Sequence, residues 1–158
     1  MKLTLVRHGK AVDREDWHGD DDRRPLTRDG IEQALRVFEL LEDWITADEV
    51  WTSPWLRARH TAELACSAWQ LPLREMPWLA GEALGPHESI RNLPRRTNVV
   101  LVGHEPDLGV LAGVLTGGNP IPLKKAGIAC FEGDPEPAGM TLTLLLTPKL
   151  IQGLSSGS

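Results

Sequence analysis

Cysteine is scarce in this chain: Cys66 and Cys130 are the only two, with no C-x-x-C spacing and no histidine pair nearby. That pattern argues against a disulfide framework or a zinc site. The two thiols read as small buried hydrophobes in a reducing compartment. Long apolar runs are missing as well. The run after Met1-Lys2 lasts only four residues before Arg7, too short for a secretory leader. Leu142 to Leu146 is broken by Thr143 and falls far short of a membrane span. A cytoplasmic protein is the expectation. A basic excess is also lacking, since 17 Lys and Arg stand against 22 Asp and Glu, for a formal net charge of −5. Nucleic-acid binding through bulk electrostatics is disfavoured, whereas a local basic pocket in an acidic protein would suit a small anion.

What is present has the balance of a globular protein. The 158 residues are 41% hydrophobic and 25% charged, which suits one domain with a single core. Residues 1–151 are expected to form that domain and residues 152–158 a disordered tail. The oligomeric state is left open, with a monomer favoured.

The opening organises the rest. Leu3-Thr4-Leu5-Val6 reads as a buried strand that ends in Arg7-His8-Gly9. It delivers a cation and an imidazole to a sheet rim, and Gly9 allows a sharp turn or a close approach to a ligand. A polar tract, Asp13 to Arg24, follows as a solvated loop or a flap over that rim. Thr27 is placed to cap a helix whose apolar stripe is Ile31, Ala34, Leu35, Phe38 and Leu41. A second strand at Asp48 to Thr52 gives way to Ser53-Pro54, read as the cap and first position of a helix carrying Arg57 and His60. Leu71 to Leu79, interrupted by Pro72 and Pro77, suggests an edge strand or connector.

Val99 to Val102 repeats the opening pattern, because a second apolar strand ends in Gly103-His104-Glu105-Pro106. Asp107 can cap the next helix, Leu108 to Leu115, and Gly127 to Phe131 with Met140 to Leu146 form a last pair of strands. Alternating strands and helices predict a three-layer α/β/α sandwich, mostly parallel, with an antiparallel addition at one edge.

If the two strand ends meet, the rim holds Arg7, His8, His104 and Arg57. Two guanidiniums and two imidazoles suit a phosphoryl group. Each charge-assisted bond to it contributes about 1.5–3 kcal/mol. One imidazole can attack phosphorus while unprotonated, and the neighbouring arginines favour that state. The other can stabilise charge on the equatorial oxygens. Lys10, beside Gly9, is a candidate to face the phosphate.

Arg7-His8-Gly9, then Ser53-Pro54-Trp55-Leu56-Arg57-Ala58, then Gly103-His104-Glu105-Pro106 together resemble the histidine phosphatase superfamily. Arg24-Pro25-Leu26-Thr27, the small size and the closing Leu146 to Leu150 segment resemble its SixA-type phosphohistidine phosphatase branch. The resemblance implies a phosphoglycerate-mutase-like fold and no metal or organic cofactor. It makes His8 the phosphorylated nucleophile, Arg7 and Arg57 the phosphate clamps, and His104 the second catalytic histidine. Two positions depart from the family pattern. His60 stands where Gln is frequent, so substrate contacts there differ. No segment matches the carboxylic general acid of ester-cleaving relatives; Glu82 lies in the corresponding region, and Glu105 follows His104 too closely to be assigned by spacing. A site without a dedicated acid suits P–N cleavage, because imidazole leaves more readily than an alkoxide. The leading expectation is a phosphohistidine phosphatase acting on a phosphorylated histidine-containing protein. A small phosphate ester, with Glu82 or water as acid, is the alternative partner. A non-catalytic phosphate-binding module ranks last, since His8 and Arg7 are both present.

Overall fold

The computed structural model describes residues 1–80 and 84–155. Its strands are β1 (Lys2–Arg7), β2 (Glu49–Thr52), β3 (Leu73–Glu75), β4 (Val99–Gly103), β5 (Ile128–Gly133) and β6 (Met140–Leu146). Its helices are α1 (Arg28–Leu40), α2 (Leu56–Trp69), α3 (Pro86–Arg91), α4 (Asp107–Thr116) and α5 (Pro148–Ser155). The strands form one sheet in the order β3-β2-β4-β1-β5-β6. β3, β2, β4 and β1 run parallel, while β5 is antiparallel to β1 and to β6. The antiparallel addition expected at one edge is therefore the β5–β6 hairpin.

The central strands are apolar throughout because both faces of the sheet are covered. Leu3, Leu5, Val99 and Leu101 pack with Ile90 of α3 and with Leu108 and Leu111 of α4. Val6, Val100 and Val102 pack with Phe38 of α1 and with Ala62 and Trp69 of α2. Helices on both faces make the three-layer α/β/α sandwich. Cys66 and Cys130 are free. Both are half-buried rather than buried, and burial still raises both thiols, Cys66 to about 11. Among the described residues, no helix is long and apolar enough to cross a membrane.

α1 begins as expected, with the Thr27 hydroxyl accepting the Gly30 N–H at 3.0 Å. Gly30 is needed for close approach, because a Cβ there would stand 2.2 Å from the Lys10 carbonyl oxygen. Alanine would gain about 1 kcal/mol of helix propensity, but the clash pushes α1 off the segment that follows His8. Gly30→Ala is expected to destabilise the protein by about 1–3 kcal/mol net, read from denaturant unfolding.

Three helix boundaries differ from the sequence reading. α2 starts at Leu56, and its N-cap, Trp55, makes no side-chain capping bond. Ser53 and Pro54 both lie ahead of the helix, and the Ser53 hydroxyl meets His104 Nε2 and the Trp55 N–H instead. Asp107 is the first residue of α4 rather than its cap. The capping bond comes from Glu105, whose Oε2 accepts the Gly109 N–H at 3.3 Å. At the other end, α5 runs through residues 152–155, where a disordered tail was expected, and residues 156–158 of that tail lie outside the described residues. Pro148 is preorganised for a first helical turn, and Ile151 is buried in the core shared with α1.

Candidate active site

β1 and β4 are neighbours, with Arg7 opposite Gly103. The residues that follow, His8 and His104, are thereby brought together with ring centroids 5.3 Å apart. The His8 N–H donates to the Gly103 carbonyl at 3.0 Å, and the Ser53 N–H to the Val102 carbonyl at 3.0 Å. The end of β2 is thus pinned to the same rim, and α2 rises directly from it with Arg57 in its first turn. His8, Arg57 and His104 are all buried. No acidic residue occupies the first turn of α2, so nothing on the helix itself competes for its positive end.

Hydrogen bonds fix how these groups present themselves. His8 Nδ1 lies 2.7 Å from the Gly9 carbonyl oxygen. A carbonyl only accepts, so Nδ1 carries the proton and Nε2 keeps a free lone pair. The Gly9 N–H donates to Thr61 Oγ1 at 3.0 Å, and the Thr61 hydroxyl donates to the Arg57 carbonyl at 2.7 Å. This buried threonine ties the turn after β1 to α2. Arg7 Nη1 donates to the Leu123 carbonyl at 3.0 Å. The Leu123 N–H donates in turn to Glu105 Oε1 at 3.1 Å. Trp55 lies against both partners, 4.9 Å from the His104 ring and 4.7 Å from the Arg57 guanidinium carbon.

Burial lowers His8 to about 3, with His104, Arg57 and Arg7 pushing the same way and the Gly9 bond opposing. Burial also lowers His104 to about 4, helped by Arg57 and Arg7. Both imidazoles are neutral at physiological pH. Unfolded histidine keeps its ordinary value of 6.5, so between these values the unfolded chain binds more protons. Their contribution to stability is complete above about pH 6.5 and is lost as pH falls toward about 4 for His104 and about 3 for His8. Urea midpoints are expected to drop across that window, and less steeply in a His8→Asn/His104→Asn double variant.

Arg7 Nε, Arg57 Nε and His104 Nδ1 are buried without a protein partner; among the described residues the other such side-chain atom is Trp51 Nε1. A buried polar atom left unpaired costs about 1–3 kcal/mol, and the two guanidinium Nε–H groups among these three call for an acceptor with several oxygens. The rim opens into a cavity of about 470 Å³. Asp13, Arg14 and Arg24 from the polar tract line it, as does Lys125. That tract is therefore a flap. It is built on short turns at Arg14–Asp16 and Asp21–Arg23 and fastened by Asp21. Arg57 Nη1 donates to the Asp21 carbonyl at 2.7 Å, and its Nη2 lies 3.3 Å from Oδ2. The other carboxylate oxygen is 3.1 Å from Arg24 Nε and 3.4 Å from Arg14 Nε. Burial alone would raise the Asp21 carboxyl, but the three guanidiniums outweigh it and hold it below the usual range.

The sequence profile of the histidine phosphatase superfamily (branch 1) matches residues 3–98. The chain belongs to the histidine phosphatase superfamily. An uncharacterized protein of Picosynechococcus sp. is 35% identical over 151 residues, covering 81% of this chain and 82% of that protein. Adenosylcobalamin/alpha-ribazole phosphatase of Escherichia coli is 40% identical over 80 residues, covering 50% of this chain and 39% of that protein. Among solved structures, the protein histidine phosphatase SixA complexed with tungstate superposes with a TM-score of 0.82 at 23% identity, covering 96% of this chain and 99% of SixA. The fold is thus that of the compact SixA-type members of the superfamily.

Within this superfamily member, four of the expected site residues meet at one rim: Arg7, His8, Arg57 and His104. Gly9 does not line the cavity. It acts on His8 through its carbonyl, and a Cβ there would stand 3.3 Å from the Gly30 carbonyl oxygen. Lys10 does not face the phosphate site. Its carbonyl accepts the Thr27 N–H at 2.9 Å, and its side chain lines a separate cavity with Asp29 and Arg36. His60 is half-buried on α2 and is not among the lining residues, because Arg57 and Thr61 take the inward stripe. Glu82 lies outside the described residues. Sequence reasoning missed Asp21, Ser53 and Thr61 as parts of the site, and saw Arg24 only within its Arg-Pro-Leu-Thr motif. A hydroxyl or carboxylate joins such a site through tertiary contacts that local spacing does not encode. Among the described residues, no group of three or more His, Cys, Asp or Glu is arranged to hold a metal ion.

Proposed function

We propose that this protein is a phosphohydrolase that removes phosphate from phosphohistidine on a protein partner. The observation that carries this reading is His8 itself: neutral, with Nε2 free, beside a cluster of buried donors without protein partners. Nε2 attacks phosphorus, and the substrate P–N bond breaks with its electron pair going to the departing imidazole, which takes a proton from water. The phosphoryl group is then on His8. Water attacks it, the P–Nε2 bond breaks, and phosphate leaves as His8 recovers its lone pair. Arg7 and Arg57 hold the oxygens throughout, and His104 donates to one of them.

The leaving group favours the phosphoramidate. Glu105, the carboxylate beside His104, accepts a backbone N–H at each oxygen, which favours its ionised form and opposes the upward push of burial, rather than proton delivery to an alkoxide. Imidazole departs without such help. The similarity in fold to SixA supports the same reading. A small phosphate ester is the second reading. The likeness to adenosylcobalamin/alpha-ribazole phosphatase favours it, and Asp13 and Asp107 on the cavity wall add carboxylates near the site.

A panel decides between them. A phosphorylated histidine-containing phosphotransfer domain is expected to give a higher kcat/KM than sugar phosphates or phosphoserine, with no loss in excess chelator. Higher efficiency on the esters would install the second reading, and dependence on added metal would contradict the proposed chemistry.

A further inference from the structure

The chemistry above asks His104 to offer a proton to the transferring group, so one of its two neutral tautomers must be held. We propose that Ser53 is the positioning residue that selects it, by donating its hydroxyl proton to His104 Nε2 and so placing the ring proton on Nδ1. Ser53 is fully buried, and its Oγ lies 2.8 Å from His104 Nε2. The same oxygen accepts the Trp55 N–H at 3.2 Å. A backbone N–H only donates, so that bond uses a lone pair of Oγ and leaves the hydroxyl proton to be placed. His104 Nε2 is the acceptor within reach. With its lone pair engaged there, a neutral imidazole must carry its hydrogen on Nδ1, the ring nitrogen without a protein partner.

The opposite arrangement carries two penalties. If Nε2–H donated to Oγ, the serine hydroxyl would have no acceptor among the described residues in a buried setting. Nδ1 would then turn a lone pair on an oxyanion already rich in them. The sheet enforces the geometry of the favoured arrangement. The Ser53 N–H donates to the Val102 carbonyl at 3.0 Å, which ties the end of β2 to the strand that carries His104. The Trp55 ring, 4.9 Å from that of His104, restrains the imidazole further. This assignment reads Ser53 as part of the site rather than as a helix cap. It rests on the phosphatase reading only for its consequence in turnover.

The tautomer is measurable without substrate. In uniformly 15N-labelled full-length protein at neutral pH, long-range 1H–15N correlations should show His104 Nδ1 as the protonated nitrogen and Nε2 as the bare one. The His104 signals are identified by their loss in His104→Asn. Ser53→Ala is expected to mix or reverse the tautomers. It should also lower kcat on the phosphohistidine domain roughly 10- to 100-fold, with a much smaller change in KM, as is usual when an outer partner of a working imidazole is removed. Ser53→Thr, which keeps the hydroxyl, should retain the Nδ1–H signature and most of kcat. A wild-type spectrum showing Nε2–H overturns the inference, and so does Ser53→Ala with the Nδ1–H form intact. Should Ser53→Ala not fold, the wild-type and Ser53→Thr spectra still decide. An Nδ1–H tautomer in a protein inactive on phosphohistidine would sink the substrate reading alone.

Discussion

Replacing His8 with alanine is expected to remove turnover, with a loss on the order of 10⁴-fold or more. Its Nε2 is the nitrogen left with a lone pair at the rim, because the Gly9 carbonyl holds the proton on Nδ1. Without it, water must attack phosphorus directly between two guanidiniums and one imidazole. The fold should survive. His8 lies where β1 gives out onto the cavity, and removing it deletes one local bond while leaving the β1–β4 pairing untouched. A far-ultraviolet spectrum and thermal midpoint close to wild type, beside absent phosphate release, would make that separation. Phosphate release within tenfold of wild type would mean that His8 is not the nucleophile.

Arg57→Ala should lower kcat by roughly 10²–10³-fold, the scale seen when one donor to a developing oxyanion is removed. Arg57→Lys should recover little, since an ammonium is a point charge that cannot reproduce the planar fork. A second effect separates Arg57 from Arg7. Both terminal nitrogens of Arg57 reach Asp21, so its loss also unfastens the flap. Limited proteolysis between residues 13 and 24 is expected to speed up in Arg57→Ala and to stay near wild type in Arg7→Ala. Near-normal turnover in Arg57→Ala would remove it from the phosphate clamp.

The parts of the molecule that were legible in advance share a physical property. β1 and β4 announce themselves as continuous apolar runs because parallel strands are buried on both faces. The helix after Thr27 declares its cap because a side-chain oxygen three residues ahead of a free N–H is a local device. Arg7 closes β1, and His8 and His104 stand immediately beyond strand ends, where backbone direction alone puts them on the rim. Other features depend on where distant chain segments meet. The Ser53 hydroxyl looks like a helix cap until β4 brings His104 against it. Asp21 is one acid among several in its tract, and only the arrival of α2 singles it out. Lys10 follows Gly9 as closely as a phosphate ligand could, yet the bond from Thr27 to its carbonyl belongs to a different part of the surface. The closing helix was not legible in the sequence, because it owes its persistence to Ile151 packing in the core shared with α1.

The most direct test of the central claim is to trap the phosphorylated enzyme and ask which nitrogen carries the group. Protein quenched during turnover of a phosphohistidine domain should yield a single phosphorylated residue, His8, in an acid-labile and base-stable linkage. Phosphorus NMR of that species should identify the Nε2 isomer, because Nδ1 is committed to the Gly9 carbonyl. Phosphate on Nδ1, on His104, or on no residue at all while turnover proceeds would contradict the account.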